Sequence, residues 1–328
     1  MNTIAFCGNM IADVVKTVPA WPDKGMLVPI ISQSHQVGGS VCNSGIDLKT
    51  LDPSMHVMAV GAVGDDGNGS FVLKTLAERG IDCSRTKTVK GVPTTFTDVV
   101  TVKSTGERTF FNMHGADSTL TPEDVDVAGL GCDILHFGYI LLLDGMDASD
   151  DEYGTKAARL LAKAQAAGIK TSIDIVSEQS ERFARVVRPA LRYCDYCIVN
   201  EIEGSLATGV PKDDLRGICE GLLEAGVRER TVVHCPEAGV SLGRDGEFAR
   251  VGSLKLPAGW IKGTVGAGDA FCAGVLYSIM KGFDAEKSLR VGSCAAAMNL
   301  TSTDTIGGAK SYEETFALDG MFARCDLA

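Results

Sequence analysis

The sequence predicts an α/β fold of three layers, in which a doubly wound, mostly parallel sheet lies between helices. Six short runs rich in Val, Ile and aromatic residues alternate with helical patterns along the chain. Such runs are typical of strands buried on both faces, and strand–helix alternation is typical of parallel sheets. Two segments without helical periodicity, at about residues 14–37 and 92–114, predict a small β-sheet lid within a single domain spanning 1–328.

The predicted strands and helices alternate along most of the chain. Most of the strands are followed by a small or polar residue. The strands are Thr3–Cys7, Val57–Val60, Ile134–Phe137, Thr171–Ile175, Cys197–Val199 and Thr231–Val233. The helices are Ser40–Leu51, Gly69–Arg79, Glu152–Ala167, Ser180–Leu191, Asp213–Ala225, Ala267–Met280 and Ala285–Leu300. Right-handed crossovers then place helices on both faces of the sheet.

The second lid segment has the pattern of a β-hairpin. Thr94–Lys103 and Arg108–Met113 are rich in strand-forming residues, and Gly106 lies between them. Ligands of open α/β sheets bind at the carboxyl ends of the strands. A β-layer placed over those ends is expected to close over the ligand.

Composition excludes several classes of protein. The 328 residues carry 31 basic and 42 acidic side chains, a net charge of −11, which argues against a broad nucleic-acid-binding face. Apolar runs such as Ile140–Leu143 are far shorter than the about 20 residues that a bilayer requires, so no membrane association is expected. The amino terminus lacks the pattern of a secretory signal, and a cytoplasmic protein with reduced thiols is therefore expected. The close pair Cys194 and Cys197 is interpreted as part of a buried strand.

The segment Gly263–Gly274 has the pattern of an anion-binding turn followed by an apolar helix. Gly266, Ala267 and Gly268 are small enough to let a ligand approach the backbone, and N–H groups at a helix start attract phosphate. Asp269 follows directly and could act as a general base toward an attacking hydroxyl. The local pattern equally permits a helix cap and tightly packed glycines.

A second glycine-rich junction precedes the predicted helix Ser40–Leu51. Gly38 and Gly39 stand directly before this helix, which carries Asn43. Asn9 and Asp13 follow the first strand. All of these residues are expected at one edge of the sheet, because parallel strands end there together.

Taken together, these residues resemble the ribokinase-like (PfkB) carbohydrate kinases. Gly38–Asn43 is similar to the amino-terminal signature of that family, and Gly266–Asp269 is similar to its carboxy-terminal signature. The resemblance spans nearly the whole chain. Other segments that resemble the family, in the right order, are Gly8–Asp13, Gly64–Gly69, Asp195–Glu203 and Ala295–Gly308.

The resemblance implies an ATP- and Mg²⁺-dependent kinase that phosphorylates a hydroxyl of a small sugar or polyol. It implies that Asp269 is the catalytic base, that the turn before it is the anion hole, and that the protein is a homodimer formed through the lid. The implied anion-hole residues are Gly266, Ala267 and Gly268; the implied sugar-binding residues are Asn9, Asp13, Gly39 and Asn43; the implied nucleotide-side residues are Asn200, Gly239, Gly266 and Gly268; and the implied Mg²⁺ residue, acting through water, is Glu203.

Two departures from the family pattern affect these expectations. Gly263 stands where the family has an acid near a monovalent-cation position, which makes activation by such a cation doubtful. His234–Gly239 replaces a Thr- and Gly-containing turn, so nucleotide contacts there are expected to be unusual. Two alternatives stay open, a nucleoside kinase of the same family and a sensor that binds sugar without turnover.

Overall fold

The computed structural model describes residues 1–178 and 182–327 and divides them into sixteen strands and ten α-helices. The strands are β1 (Thr3–Cys7), β2 (Ile11–Val18), β3 (Ser32–Gly38), β4 (His56–Val60), β5 (Ala62–Gly64), β6 (Lys87–Val89), β7 (Phe96–Val102), β8 (Arg108–Met113), β9 (Ile134–Ile140), β10 (Ser149–Asp150), β11 (Gly154–Thr155), β12 (Lys170–Ile175), β13 (Tyr196–Asn200), β14 (Arg230–His234), β15 (Ala238–Gly243) and β16 (Phe248–Gly252).

The helices alternate with the strands of the main sheet, as the sequence predicts. They are α1 (Ser40–Leu51), α2 (Gly67–Glu78), α3 (Asp144–Asp147), α4 (Lys156–Ala166), α5 (Phe183–Leu191), α6 (Glu201–Thr208), α7 (Leu215–Ala225), α8 (Ala267–Lys281), α9 (Ala285–Asn299) and α10 (Tyr312–Met321). Of the predicted helix Ser180–Leu191, Ser180 and Glu181 lie outside the described residues.

The main sheet has eight strands in the order β4–β1–β9–β12–β13–β14–β15–β16. The first six are parallel to one another, which confirms the predicted sheet. The last two run antiparallel, which the sequence analysis did not predict. Their direction follows from a tight turn, in which the amide of Cys235 donates to the carbonyl of Ala238 and returns the chain beside β14.

Helices cover both faces of this sheet, which confirms the three layers. Alternate residues of β1 point to opposite sides, because side chains of a strand alternate between its faces. Ala5 and Cys7 join a buried cluster that includes Leu160 of α4. Ile4 and Phe6 join the cluster on the other face, to which α1, α8 and α9 contribute.

A separate four-stranded sheet of order β3–β2–β7–β8, here called the lid sheet, forms from both predicted lid segments. Its hairpin β7–β8 turns at Gly106, whose φ of 73° lies in the left-handed region that glycine tolerates. The first strand starts at Ile11, earlier than predicted, and pairs with Gly38 of β3. The hydroxyl of Thr305 joins this sheet to the main body by donating to the carbonyl of Val37 at 3.3 Å.

The third predicted helix, Glu152–Ala167, starts later than expected. The short strands β10 and β11 form a hairpin through Gly154, and α4 begins only after Thr155. The Thr155 hydroxyl accepts the amide N–H of Ala158 at 3.2 Å, which is a regular helix cap. The sequence pattern does not separate this hairpin from the helix because β10 and β11 have only two residues each, too few to show the period of a strand.

Two expectations drawn from composition can be compared with the described residues. All eleven cysteines are free thiols, and both Cys194 and Cys197 are buried. No helix in the ranges 1–178 and 182–327 is both long enough and apolar enough to span a bilayer.

Candidate active site

A cleft lies at the carboxyl ends of the parallel strands. It has a volume of about 280 Å³, and it receives side chains that follow or end β9, β12, β13 and β14, together with the start of α8. The convergence follows from topology, since parallel strands end at the same edge. Its polar lining comprises Tyr139, Asp174, Ser177, Asn200, Glu203, His234 and Asp269, with Gly266 and Gly268 beside them.

Helix α8 begins with its backbone N–H groups open toward this cleft. Its N-cap residue, Gly266, has a φ of 82°, and a Cβ atom added there would lie 2.5 Å from the carbonyl oxygen of Thr305. Only glycine fits such a position, because both the φ and the close approach exclude a side chain. Gly266 supplies no side chain to bond the first N–H groups of α8. The N–H of Ala267 makes a long contact of 3.5 Å with the carbonyl of Thr264, and Gly266 and Gly268, unlike Ala267, line the cleft. A helix start without a side-chain cap can bind an anion.

Helix α1 starts in the same way on the other side of Asp269. Gly39 has a φ of 86°, and a Cβ atom there would lie 2.4 Å from the carbonyl oxygen of Asn9. Among the ten described helices, six are capped by a polar side chain that accepts a backbone N–H, and α1, α3, α5 and α8 are not. Of those four, only α1 and α8 begin at a glycine with a positive φ. The two glycine-rich junctions of the sequence are thus the two helix starts that meet at the site.

The carboxylate of Asp269 lies in the first turn of α8 and is buried. Its Oδ2 accepts the side-chain amide of Asn43 at 3.0 Å, and both oxygens accept the hydroxyl of Tyr139 at 2.9 Å. Burial first, and then the negative charge of Asp174, raise the pKa of Asp269 to about 7, while the two donated hydrogen bonds oppose this shift. Asp269 therefore changes its protonation state near neutral pH.

Beneath Asp269 lies a buried polar cluster that sequence reasoning missed. His136 Nε2 lies 3.2 Å from Asp174 Oδ2, and His136 Nδ1 lies 3.0 Å from the hydroxyl of Ser172. Asp174 also accepts hydrogen bonds from the hydroxyl of Ser40 and the amide of Tyr139. Both ring nitrogens of His136 therefore have a hydrogen-bond partner.

The positions of Asp174 and Tyr139 within their strands indicate that both residues lie near the site. Asp174 is the penultimate residue of β12, and Tyr139 lies near the end of β9, so both lie at the edge where the cleft forms. A polar side chain at the carboxyl end of a buried parallel strand is a candidate for the site on that ground alone. Nothing in the local sequence, however, indicates that Tyr139 contacts a residue 130 positions away.

Glu203 and Asn200 form the next part of the cleft at the start of α6. Glu203 is 7% exposed, and its carboxylate accepts the hydroxyl of Ser177 at 2.7 Å and the side-chain amide of Asn200 at 2.7 Å. Burial raises the pKa of Glu203 to about 8. A buried acid of this kind gains from a nearby cation, because the cation offsets the cost of the negative charge.

The predicted acceptor-side residues cluster around the loop after β1. The amide of Asn9 donates to Asp117 Oδ2 and to the carbonyl of Leu142, each at 3.1 Å, while its Oδ1 has no hydrogen-bond partner in the described part of the chain. Asp13 lies in β2, where burial raises its pKa to about 6 and a hydrogen bond with Thr97 opposes the shift. Asn9, Asp13 and Gly39 stand outside the lining of the 280 Å³ cleft.

The nucleotide-side predictions divide into two groups. Asn200 lines the cleft, and so does His234, whose ring lies 4.4 Å from that of Phe271 and whose pKa burial lowers to about 4. Gly239 is buried in β15, where a Cβ atom would lie 3.1 Å from Leu289 and 3.4 Å from Phe271. The structure thus places Gly239 in the core against α8 and α9.

Gly263 packs closely against the loop that follows α9. A Cβ atom at this position would lie 2.7 Å from the carbonyl oxygen of Ser302 and 3.0 Å from the Cα atom of Thr303. An acidic side chain here therefore requires the loop to move. The close packing agrees with the expectation that this chain lacks the acid of a monovalent-cation position.

Comparison with known proteins gives a consistent result. The family model described as pfkB family carbohydrate kinase matches residues 1–311. A 5-dehydro-2-deoxygluconokinase of Geobacillus thermodenitrificans is 25% identical over 281 residues, which cover 83% of this chain and 80% of that protein. A deoxyribokinase of Salmonella typhi is 23% identical over 326 residues, which cover 95% of this chain and 96% of that protein.

Solved structures share the fold over nearly the whole chain. The structure of Arabidopsis thaliana ribokinase complexed with ribose and ATP superposes with a TM-score of 0.81 at 18% identity, covering 97% of this chain and 98% of that one. A ribokinase from Thermotoga maritima superposes with a TM-score of 0.79 at 19% identity, covering 98% and 100%. Since the family model covers far more than half of the sequence, this chain belongs to the PfkB family of carbohydrate kinases.

Proposed function

We propose that this kinase transfers the γ-phosphoryl group of ATP to a hydroxyl of a small sugar or polyol, with Asp269 as the general base. One observation carries the proposal: a buried carboxylate, held by Asn43 and Tyr139, lies in the first turn of a helix that begins at a glycine without a side-chain cap. Burial raises the pKa of this carboxylate to about 7. A base with such a pKa can accept a proton at neutral pH. The adjacent N–H groups can stabilise the transferring phosphoryl group.

The acceptor side of the proposed site uses Asn9, Asp13, Gly39 and Asn43. Asn43 holds Asp269 through its Nδ2, and its Oδ1 has no hydrogen-bond partner among the described residues. Asn9 Oδ1 likewise has no hydrogen-bond partner among the described residues. A buried amide oxygen without a donor is costly, and a hydroxyl of a polyol is a suitable donor.

The nucleotide side uses the N–H groups of Gly266, Ala267 and Gly268 as the anion hole, and Asn200 near the phosphates. Glu203 fits a role toward Mg²⁺ through water, since its oxygens are already held by Ser177 and Asn200 and its burial favours a nearby cation. When bound, Mg²⁺ supplies positive charge that neutralises the phosphate oxygens.

We further propose that residues 1–328 act as one domain and that two copies associate through the lid sheet. The lid and its loop carry large apolar side chains at the surface, which favour a protein contact. Examples are Leu27 at 92% exposure, Met26 at 69%, Phe110 at 57% and Phe111 at 54%. The outer strands β3 and β8 also present free edges for pairing.

The decisive test measures ADP formation from ATP and Mg²⁺ against pentoses, hexoses, ketoses, sugar acids, polyols and nucleosides. One or more acceptors should stimulate ADP formation, and Asp269→Asn should lower that rate by about 10²–10⁴-fold, because it removes the proton acceptor with little change of shape. Asp245→Asn, in the β15–β16 turn, is the matched control and should leave the rate unchanged.

The outcomes separate the three functions under consideration. Stimulation by nucleosides alone would replace the sugar with a nucleoside as the acceptor. If an acceptor raises the melting temperature without any ADP formation, the protein is a sensor and the catalytic proposal is wrong. Full activity of the Asp269→Asn protein would remove Asp269 from the role of base.

A further inference from the structure

The side chain of Tyr139 occupies the position beside Asp269 that an acceptor needs. Its hydroxyl lies 2.9 Å from each carboxylate oxygen, which is the distance at which a general base takes a proton from a hydroxyl. Tyr139 also lines the cleft together with Gly266 and Gly268. The phenol therefore lies where the proposed function requires a sugar hydroxyl.

The other contacts of Asp269 leave few open positions. Oδ2 accepts the amide of Asn43 at 3.0 Å, and Oδ1 faces the hydroxyl of Ser44 at 3.5 Å from the α1 side. A carboxylate offers about four lone-pair sites in its plane. With Asn43 and Ser44 on one side and the phenol bridging both oxygens on the other, a water molecule that approaches the base from the cleft must compete with Tyr139 for its lone pairs.

The backbone of Tyr139 is held in an unfavourable conformation. Its φ is 58°, and that of Leu141, two residues later, is 88°. Such values cost a residue with a side chain about 1–3 kcal/mol each unless the surroundings enforce them. Two acids enforce the conformation of Tyr139, since Asp174 accepts its amide and Asp269 accepts its hydroxyl.

These contacts make Tyr139 a side chain that a substrate can replace. An acceptor hydroxyl that takes over the hydrogen bond to Asp269 exchanges one O–H donor for another, so the exchange costs little. Release of the phenol also removes one of the two contacts that hold the backbone. Burial and the nearby carboxylates raise the pKa of Tyr139 well above its ordinary value, so the phenol stays protonated and can donate a hydrogen bond to Asp269.

We propose that Tyr139 guards the base: its phenol blocks Asp269 until an acceptor hydroxyl displaces it, and this prevents the hydrolysis of ATP by water. The inference rests on the proposed function. Without the guard, a water oxygen bonds the γ-phosphorus, the bond from that phosphorus to the ADP oxygen breaks, and Asp269 takes the proton from the water. The products are ADP and inorganic phosphate, so the reaction needs no partner beyond ATP and water.

The test compares wild type with Tyr139→Phe, which keeps the ring and removes only the hydroxyl. Without any acceptor, at about pH 9 where Asp269 is largely ionised, Tyr139→Phe should release inorganic phosphate from ATP about tenfold faster than wild type. Tyr153→Phe, which removes a phenol from the hairpin before α4, is the matched control and should not differ from wild type. Adding Asp269→Asn to Tyr139→Phe should abolish the excess.

A second measurement distinguishes a guard from a purely structural tyrosine. The Tyr139 hydrogen bond lowers the pKa of Asp269, so Tyr139→Phe should move the acidic limb of kcat/KM for the acceptor to higher pH. The acidic limb of the kcat/KM profile of Tyr153→Phe should lie at the same pH as that of wild type. The ionisable groups around Asp269 that remain the same in both proteins are Asp174 and His136 beneath it, Glu203 across the cleft and Asp47 on α1.

The two proposals can fail separately. Equal phosphate release by wild type and Tyr139→Phe, with both proteins folded by circular dichroism, would overturn the guard whatever the acceptor panel shows. A raised release in Tyr139→Phe that survives Asp269→Asn would also overturn it, since the water would not be using Asp269. Absence of acceptor stimulation in wild type contradicts the proposed function, and the hydrolysis comparison still decides the guard.

Discussion

Two buried aspartates on neighbouring helices, Asp269 of α8 and Asp47 of α1, differ in the hydrogen bonds that their carboxylates accept. Asp269 accepts hydrogen bonds from Asn43 and Tyr139. Asp47 is 3% exposed, and neither of its carboxylate oxygens has a hydrogen-bond partner within the described ranges. Burial first, and then the charge of Asp269, raise the pKa of Asp47 well above its usual range. The two carboxylates therefore differ in their hydrogen bonds, and the burial of Asp47 without a hydrogen-bond partner costs stability.

Asp47→Asn should stabilise the protein at neutral and alkaline pH. An acid whose pKa is raised on folding binds more protons in the folded state, so stability falls as pH rises above its ordinary unfolded value of about 3.9. The amide keeps the shape of the acid and does not ionise. The free energy of unfolding at about pH 8, measured by urea denaturation, should rise by about 1–3 kcal/mol.

The comparison needs an aspartate without this environment. Asp23 is exposed in the segment between β2 and β3, and Asp23→Asn should leave the unfolding curve at about pH 8 unchanged. The difference between the Asp47→Asn protein and wild type should also shrink below about pH 4, where Asp47 is protonated in both states. A constant difference at all pH values would contradict this account.

At single positions, the sequence indicated residues that belong to a local pattern. Gly266, Asp269, Asn200 and Glu203 line one cleft, and each lies at a strand end or helix start that the sequence marks. Tyr139 escaped prediction because its role comes from a contact across the sheet with α8 and from a left-handed backbone, and neither leaves a local pattern. The catalytic and binding roles of the predicted residues stay predictions.

At the scale of elements, the close packing at the start of α8 predicts that position 266 requires glycine. Gly266→Ala should lower the rate of acceptor-stimulated ADP formation by at least about tenfold, because the added methyl group lies 2.5 Å from the carbonyl oxygen of Thr305 and must displace the turn. The left-handed φ of 82° adds about 1 kcal/mol of strain.

Gly282 at the other end of the same helix provides a matched control. Its φ is 71°, but nothing lies within 4 Å of a Cβ atom there. Gly282→Ala should therefore lower the melting temperature by an amount set by the φ strain alone and leave the rate unchanged. Equal effects of the two substitutions on the rate would show that the turn before α8 has no special place in the reaction.

The same scale shows why some elements were predictable and others were not. Strands buried on both faces, such as β9 and β13, consist of almost continuous apolar residues and were found. β15 contains two glycines and a serine among its six residues, so its composition does not distinguish it from a loop. Its antiparallel direction depends on the turn at Cys235–Ala238, which is a matter of geometry and not of hydrophobic pattern.

At the scale of the whole molecule, the lid sheet has two different faces. The paired residues Asp13, Thr97 and Asn112 lie on one face, because directly opposite residues share a face. Phe111 is the neighbour of Asn112 along β8 and therefore points the other way, where its ring stacks on Trp21 with centroids 6.4 Å apart. Phe110 shares the face of Asn112, and Asp98 shares the face of Phe111, so each face carries both polar and apolar side chains. We expect the face of Asp13 to contact the sugar and the face of Phe111 to contact a second copy.

Phe111→Lys should therefore weaken association without affecting the site. Wild type should have the mass of two chains in analytical ultracentrifugation, and the substitution should raise the dissociation constant by at least about 30-fold, the loss typical of an aromatic hot spot. Met321, 62% exposed at the end of α10, provides the control, since Met321→Lys changes a similar apolar residue outside the lid. A monomeric wild type, or equal effects of both substitutions, would contradict a lid interface.

Thr305 contacts both the turn before α8 and the lid sheet. Its carbonyl oxygen lies against Gly266 and accepts the side-chain amide of Asn299, while its hydroxyl donates to Val37 of the lid sheet. A phosphate that orders the turn and an acceptor that orders the lid thus stabilise the same residue. Linkage requires such coupling to be reciprocal. Nucleotide and acceptor should each lower the dissociation constant of the other by one common factor, which calorimetric titration of each substrate with and without the other would measure.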